Sequence, residues 1–233
     1  PVGTYTSTFY AADNDGVVSQ TVILRVLLSG ALWINEIHYD NASTDTNEGV
    51  EIAGTAGIDL SYYVVYAYNG GDGLTYESNG LSGVIDDEGC GYGAVWFPIS
   101  GLQNGPDGIA LVLDGSNTIQ FLSYEGTIAA SNGPAAGQFS DNVKVSEAGT
   151  ETDRSLQLKG GGTNYILFAW GGPTNTASRG QLNDLQWLCT NQPPYLFPIG
   201  NRSGTESNTL ALTIAAAEPD NDTLNFSTSG TAF

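Results

Sequence analysis

The segment 107–126, "DGIALVLDGSNTIQFLSYEG", carries the clearest structural signal in the chain. Apolar residues fill its first half, Asp114-Gly115 interrupts them, and a second run with apolar alternation follows. Asp-Gly between two such runs is typical of a tight hairpin turn, because both residues accept the positive φ angles that this turn needs. The segment therefore predicts two antiparallel strands. Three apolar residues share a face of the first strand and two share a face of the second: Ile109, Leu111, Leu113, Ile119 and Phe121.

Short apolar runs between turn residues recur through the middle of the chain. They lie in "LWINEIHYD", "VEIAG", "YYVVYAYNG", "GYGAVWFPISGL", "SLQLKG" and "NYILFAWGG". Glycine accounts for 31 of 233 residues, about twice its usual share, and long apolar patterns with a helical period are absent. Strands at this spacing predict an all-β chain built as an immunoglobulin-like β-sandwich.

The chain is strongly acidic, with 25 Asp and Glu against 6 Lys and Arg and a formal net charge of −19. Phosphate recognition needs clustered Lys and Arg, so neither nucleic acid nor an anionic membrane surface is an expected partner. The apolar runs are strand-sized and shorter than the roughly 18 residues of a membrane span, so no membrane insertion is expected. Because Met is absent even at position 1, we expect a processed or excised chain. The acidic charge suits a salty exterior, and we expect an extracellular or cell-surface location.

Turn- and loop-forming residues divide the chain into three predicted segments, 1–30, 31–190 and 191–233. The first reads as a hairpin with its turn at "DNDG" and an apolar face that contains Val22, Leu24 and Val26. The pair Pro193-Pro194 predicts a stiff, extended entry into the last segment.

The middle segment resembles a known family. The motifs "WINEIHYDNASTDTNEGVEIAG", "GPDGIALVLDGSNTIQFLSYEG" and "RSLQL" carry the resemblance. Over roughly residues 31–182, they look like the lamin tail domain of bacterial secreted and surface proteins. The resemblance implies an immunoglobulin-like sandwich without catalytic residues, which serves as an interaction and architectural module.

Both flanks resemble a second family, the cadherin-like, immunoglobulin-type repeats of bacterial surface proteins. "VGTYTSTFYAADNDGVVSQTVILRV" looks like the last two strands of a repeat, and "NQPPYLFPIGNRSGTESNTLALTIAAAEPDNDTLNFS" looks like the first strands. The flanks are complementary parts of a domain, so we predict that they form a second, composite immunoglobulin-like sandwich. The pairing segments can come from one chain, from successive copies joined head to tail in a filament, or from one longer polypeptide. The expected partners are therefore copies of this chain or other surface proteins.

The two cysteines, Cys90 and Cys189, lie far apart and do not have a metal-ligand spacing. In a secreted setting they are predicted to form a disulfide. A loop of about 100 residues closed in this way stabilises the fold by roughly 4–5 kcal/mol in the chain-entropy model. Two buried free thiols are the alternative.

Acidic turns suggest calcium as a cofactor, since this ion prefers several carboxylate and carbonyl oxygens from flexible loops. In the composite sandwich the turns "ADNDG" and "EPDND" would lie at the same end, where their carboxylates would repel each other without a cation. The candidate ligands there are Asp13, Asp15, Glu218, Asp220 and Asp222. A further acidic loop contains Asp40, Asp45 and Glu48. Solvated acidic turns without metal are the alternative for each group.

Catalytic chemistry finds little support in the sequence. The only histidine, His38, is expected at the surface or at a strand edge. Glu48 and Glu51 lie three residues apart in a predicted strand and so point to opposite faces, which argues against a buried acid pair.

Other features leave alternatives open. Tyr62, Tyr66 and Tyr68 fall on one face of a predicted strand, where they are either core residues or a sugar-binding platform. Four N-x-S/T sequons occur, at Asn41, Asn201, Asn221 and Asn225. We expect a non-enzymatic structural or adhesive module. The alternative is a carbohydrate- or protein-binding accessory module of a larger secreted enzyme, and a hydrolase is a third hypothesis.

Overall fold

The structure is a computed structural model that describes residues 3–13, 16–26, 31–147, 149–173, 176–188, 195–197, 214–217 and 226. The chain divides into two compact units, Pro1–Leu188 and Cys189–Phe233. The described residues form strands and two short 3₁₀ turns, Leu60–Tyr62 and Tyr165–Leu167, which confirms the all-β prediction. None of the helical turns in this part of the chain has the length and apolar character that a membrane crossing requires.

Fifteen strands are seen in the described residues. In chain order they are β1 (Gly3–Asp13), β2 (Gly16–Val26), β3 (Leu32–His38), β4 (Gly49–Thr55), β5 (Tyr63–Asn69), β6 (Thr75–Gly80), β7 (Tyr92–Pro98), β8 (Asp107–Leu113), β9 (Asn117–Tyr124), β10 (Asp141–Asn142), β11 (Leu156–Gly161), β12 (Ala169–Gly171), β13 (Gln186–Trp187), β14 (Tyr195–Leu196) and β15 (Ala216–Ala217).

Two sheets build the body of the protein. The first has the strand order β12-β11-β3-β4-β7, and β13 adds to it by pairing with β11. The second has the order β10-β9-β8-β5-β6. Most neighbours are antiparallel, while β13 runs parallel to β11 and β10 runs parallel to β9. The two sheets share one core, so the body is a β-sandwich.

The shared core takes alternate residues from the inner face of each sheet, as a strand period of two requires. Its fully buried members include Ile34, Ile37, Val50 and Ile52 from the first sheet and Val65, Ile109, Leu111 and Leu122 from the second. The outer faces also carry buried apolar clusters. On the second sheet, Tyr68, Ala110, Val112 and Phe121 pack with residues of the following loop, including Ile128 and Ala135. On the first sheet the cluster is Trp33, Ala53, Ala94, Leu158 and Leu188.

A β-bulge interrupts the pairing of β3 with β4. Ile34 pairs with Ile52 and Glu36 pairs with Glu51, so Asn35 is an extra residue on β3. Bulges re-aim the side chains around them. Here Asn35 Oδ1 accepts a hydrogen bond of 2.9 Å from the indole N–H of Trp33 on the outer face. The bulge therefore places a polar side chain beside the buried indole.

The hairpin predicted from segment 107–126 is confirmed. Strands β8 and β9 pair antiparallel, and φ is 51° at Asp114 and 68° at Gly115. Leu113 packs against the core as expected. The second strand differs from the expectation, because a register shift in the ladder lies next to Ile119. Ile119 is 41% exposed, whereas Phe121 is buried in the outer cluster.

The first segment forms the predicted hairpin. Strands β1 and β2 pair antiparallel over their full length, with the Cα atoms of Tyr5 and Leu24 opposite each other. Among the described strands, these two form a sheet of their own, and β14 and β15 form another. The composite sandwich of the two flanks stays a prediction, because most of the last segment lies outside the described residues.

Candidate functional site

His38 lies at the end of β3 and is fully buried, so the expectation that it occupies the surface was wrong. Its Nδ1 atom is 2.9 Å from Glu147 Oε1, and its Nε2 atom is 3.1 Å from the carbonyl oxygen of Thr46. The amide nitrogen of Asn41 lies 3.0 Å from the same Nε2. The imidazole thus joins the loop after β3 to a distant part of the chain.

Glu147 is the centre of this cluster. Its Oε2 atom accepts hydrogen bonds from the backbone N–H groups of Tyr39 (2.6 Å) and Asp40 (3.2 Å). Burial raises the pKa of the Glu147 carboxyl, while the hydrogen bond from His38 lowers it. In return, the phenol oxygen of Tyr39 accepts a hydrogen bond of 2.9 Å from Glu147 N–H and donates one to Glu125. Burial also raises the pKa of the Tyr39 hydroxyl. These contacts fix the backbone where β3 ends.

The loop that follows contains the acidic residues Asp40, Asp45 and Glu48, each of which contacts a different polar group. Asp45 accepts from Asn41 N–H at 2.9 Å, and Glu48 accepts from Gly101 N–H at 2.8 Å. Asp40 Oδ1 accepts from the side-chain amide of Asn104 at 3.5 Å. Burial raises the pKa of Glu48, and the Asp45 charge adds to this effect.

The structure does not gather these three carboxylates around one point. Within the described ranges, no group of three or more His, Cys, Asp or Glu side chains is arranged to hold a metal ion. Asn41, the first residue of a sequon, is 5% exposed, and its side chain is bonded to Thr46 and His38. This sequon is therefore inaccessible to glycosylation in the folded chain.

The other predicted calcium ligands fall at the limits of the described chain. Asp13 ends β1, opposite Gly16. Asp15, Glu218, Asp220 and Asp222 lie outside the described residues, as do the sequons at Asn201, Asn221 and Asn225. Calcium at the end of the composite sandwich stays a prediction.

A buried acid pair does exist, contrary to expectation, on the outer face of the first sheet. It consists of Glu36 on β3 and Glu51 on β4, which are paired residues in the ladder and are both fully buried. Burial raises the pKa of Glu51 to about 8, and the negative charge of Glu36 contributes to this rise. Glu48 was the wrong partner to consider, because the pair forms across two strands rather than along one.

Residues 176–188, called the strap here, lie against this acid pair. Alternate backbone N–H groups of the strap donate to carboxylates of the sheet and of the loop before β7. The three bonds are Ser178 N–H to Glu36 Oε2 (3.1 Å), Gly180 N–H to Glu51 Oε2 (2.7 Å) and Leu182 N–H to Glu88 Oε2 (2.7 Å). The strap is thus held as an added strand would be, but by side-chain carboxylates in place of backbone carbonyls.

Further contacts hold the strap at both ends. The side-chain amide of Asn183 donates to the carbonyl oxygens of Asn35 (3.1 Å) and Leu158 (3.0 Å). The guanidinium of Arg179 lies 5.1 Å from the ring centroid of Trp96, within the range of a cation–π contact. In β13, which belongs to the strap, the side-chain amide of Gln186 donates to Asn35 Oδ1 at 2.8 Å. The bulge residue Asn35 therefore connects the C-terminal half of the strap to β3.

A shallow depression of about 380 Å³ lies beside β5 and the edge strand β6. Its lining residues are Tyr66, Thr75, Tyr76, Glu77 and Ser78. Tyr66 is half-buried, whereas Tyr68 is fully buried under the loop after β9. Tyr62 belongs to a 3₁₀ turn that packs toward the shared core. The three tyrosines thus do not form the platform that one strand face would give, and Tyr66 and Tyr76 line the depression.

Cys90 follows Gly89 in the loop before β7 and is exposed. It is not a free thiol. Cys189 lies outside the described residues, so its pairing with Cys90 stays a prediction.

Sequence reasoning missed the acid pair, Glu147 and the strap. One signal was present, because Glu51 stands between Val50 and Ile52 in "GVEIAG" and Glu36 precedes Ile37 in "WINEIH". A charged residue inside an apolar strand reads as solvent-facing unless something is known to cover it. What covers it here comes from residues more than 120 positions away, which a local pattern does not reveal.

Protein-family models, characterised proteins and solved structures were each compared with the chain, and none of the three comparisons finds a match.

Proposed function

We propose that the chain is a non-enzymatic, extracellular structural or adhesive module that joins copies of itself through its flanking segments. In this proposal the sandwich is a lamin-tail-like, immunoglobulin-like body. The flanks supply parts of a composite immunoglobulin-like domain, and calcium binds at its acidic end. The observation that carries the proposal is the β1–β2 hairpin.

This hairpin has two strands of 11 residues each, and they form a separate two-stranded sheet among the described strands. An isolated two-stranded sheet is marginally stable in water at best, and three or more strands with an apolar face are needed for independent stability. The sequence places apolar residues at alternate positions of β2, at Val22, Leu24 and Val26. Such a hairpin favours addition of further strands, which is the basis of strand complementation between copies.

The body supports a mechanical role. Buried carboxylates usually signal either catalysis or structural ion-pair networks. Here Glu51 and Glu147 both accept hydrogen bonds from backbone amides of distant segments. Groups bonded in this way fix segments in place, as a module that carries load between neighbours requires.

Self-association of the purified 233-residue chain tests the proposal. Sedimentation velocity over a range of protein concentrations, with calcium or with a chelator, is expected to show head-to-tail oligomers that the chelator loosens. Val22→Lys is expected to abolish them, because it places a charge on the apolar set of positions. Thr21→Lys is the matched control, since it adds the same charge at the neighbouring position of the polar set.

If the chain is a monomer at every concentration, the two flanking segments can still pair within one chain. Hydrogen exchange of residues 1–30 tests this alternative. Slow exchange of these amides supports an intrachain composite domain. A monomeric chain whose β1 and β2 amides exchange at the unprotected rate contradicts the proposal.

The depression beside β6 favours a second candidate, a carbohydrate-binding accessory module. Aromatic faces beside hydroxyl and carboxylate groups suit sugar rings, and Tyr66, Thr75 and Glu77 provide these groups. Calorimetric titration with soluble oligosaccharides tests this candidate. Tyr66→Ala should remove any binding, whereas Tyr62→Ala should retain it.

A further inference from the structure

The strap is held by groups that titrate. In an ordinary sheet, strand amides donate to backbone carbonyls, which do not change charge with pH. The strap amides of Ser178, Gly180 and Leu182 instead donate to carboxylates. Any change in the protonation of these carboxylates therefore acts directly on the segment they hold.

Two of the carboxylates cannot both be charged without a large cost. Glu36 and Glu51 stand opposite each other in the β3–β4 ladder and are fully buried. Buried like charges this close disfavour double ionisation, so one carboxyl keeps a proton. Among the described residues, Glu36 Oε1 is a buried atom without a hydrogen-bond partner. It is thus an unused acceptor on the side chain that neighbours Glu51.

Neither Glu36 nor Glu51 forms an ion pair with a cation among the described residues. Two charged groups lie nearby: Glu88 in the loop before β7, and Arg179 on the strap, whose guanidinium lies over Trp96, the ladder partner of Glu51, and donates to the carbonyl oxygen of Thr152. Glu88 adds to the rise in the pKa of Glu51. The neighbours from β7 and β11, Trp96 and Gln157, are uncharged.

We propose that a proton shared by Glu36 and Glu51 locks the strap onto the outer face of the first sheet, and that loss of this proton releases the strap. With the proton in place, Glu51 Oε1 and Oε2 accept from Asn35 and Gly180 while the pair carries one negative charge. Without it, two buried charges face each other, and separation of the strap admits water to both.

The sign of the pH dependence follows from linkage. Once the strap opens, the Glu51 carboxyl is hydrated and loses its proton near its ordinary pKa of 4.5, whereas under the closed strap it keeps this proton up to about pH 8. Opening of the strap therefore releases one proton wherever the pH lies between 4.5 and about 8. The opening equilibrium constant should rise about tenfold per pH unit in this window and level off above it. The lock is strongest in acid and weakest in alkali.

The strap is the last described stretch before the second unit begins at Cys189. Its release would free residues 176–188 from the first sheet.

Hydrogen exchange of the full-length chain, followed by mass spectrometry at a series of pH values from 5.5 to about 8.5, tests the proposal. Opening constants for peptides that contain residues 178–182 are obtained after correction for intrinsic exchange. The wild-type opening constant is expected to rise about tenfold per pH unit up to about pH 8. Glu51→Gln keeps the shape of the protonated carboxyl without its titration, so its opening constant should be flat. Glu77→Gln, at an exposed glutamate on β6, is the matched control and should follow the wild type.

A flat wild-type profile overturns the proposal, and so does an unchanged slope in Glu51→Gln. If Glu51→Gln fails to fold, Glu36→Gln removes the same pair from the other strand and should also flatten the profile. The wild-type pH series alone is decisive if neither variant folds.

Discussion

Truncation of Glu147 to alanine should strongly destabilise the sandwich. The carboxylate bonds to the imidazole of His38 and to the N–H groups of Tyr39 and Asp40, and both partners of the Glu147–His38 pair are fully buried. Removal of one member of a buried, hydrogen-bonded pair costs about 3–5 kcal/mol, because the other member is left without a partner. The loss is a large part of the roughly 5–15 kcal/mol that stabilises an ordinary domain.

Urea denaturation followed by tryptophan fluorescence measures this loss. With a denaturant slope of roughly 2 kcal/mol per molar urea, the midpoint should fall by about 2 M. Glu147→Gln keeps one acceptor oxygen for the backbone of Tyr39 and loses the charge that faces His38, so its cost should be smaller, about 1–3 kcal/mol. Glu77→Ala provides the control, since Glu77 is exposed and, among the described residues, its side chain accepts a hydrogen bond only from the adjacent Ser78.

The order of the three midpoints is decisive. The largest loss is expected for Glu147→Ala, an intermediate loss for Glu147→Gln and almost none for Glu77→Ala. A midpoint for Glu147→Ala that coincides with that of Glu77→Ala would refute this expectation, because the buried cluster would then contribute nothing to stability.

Three further predictions concern the core, pH and the cysteines. Ile109 is fully buried between the sheets, so Ile109→Ala should lower the free energy of unfolding in urea by about 2–5 kcal/mol. Ile119 is 41% exposed, so Ile119→Ala should lower it much less. Equal losses would contradict the placement of the core. Burial raises the pKa of Asp107 to about 6. The fold therefore favours the protonated carboxyl, and this contribution to stability is complete below the unfolded pKa of about 4 and is lost as pH rises through 6. Asp107→Asn should therefore gain stability relative to the wild type between pH 4.5 and pH 7.5, and an unchanged difference in midpoint would count against this. Non-reducing peptide mapping should yield a linked peptide with Cys90 and Cys189, and two alkylated free thiols in folded protein would exclude the bridge.

The sequence was informative about the shared core because local pattern determines it. Strand alternation in segment 107–126 placed Ile109 and Leu111 on one face, and Asp114-Gly115 located the turn between β8 and β9. Both inferences use only the strand period and the backbone angles of a two-residue turn. Neither depends on distant parts of the chain, and the structure confirms both.

The outer faces could not be predicted in the same way. An apolar run such as "GIALVL" shows that both faces of β8 are apolar, but it does not say what covers the outer one. In the structure, Ala110 and Val112 of that run lie beneath Ile128 and Ala135 of the loop after β9. A register shift beside Ile119 also escaped prediction, since one extra residue in a strand leaves no mark on composition.

His38, Glu36 and Glu51 show the same limit for polar residues. Each follows or precedes apolar strand residues, so alternation alone assigns it to solvent. Glu36 is instead covered by Ser178, which lies 142 positions away, and His38 is covered by Glu147, 109 positions away. The pKa of a buried carboxyl depends on the residues that bury it, so the raised pKa of Glu51 could not be predicted from residues 48–54 alone.

The two buried polar clusters perform one physical task in different ways. A β-sandwich leaves the amides of its covering segments without a ladder partner, and an unpaired buried amide costs about 1–3 kcal/mol. At the end of β3, Glu147 accepts from two such amides, and its other carboxyl oxygen lies within hydrogen-bond distance of the His38 imidazole. On the outer face of the first sheet, Glu36 and Glu51 satisfy amides of the strap without an ion pair to a cation among the described residues. The first arrangement gives a buried carboxyl an imidazole as its side-chain partner, whereas the second sets two buried carboxyls opposite each other, and a proton on one of them relieves their repulsion. This repulsion is why pH should act on the strap.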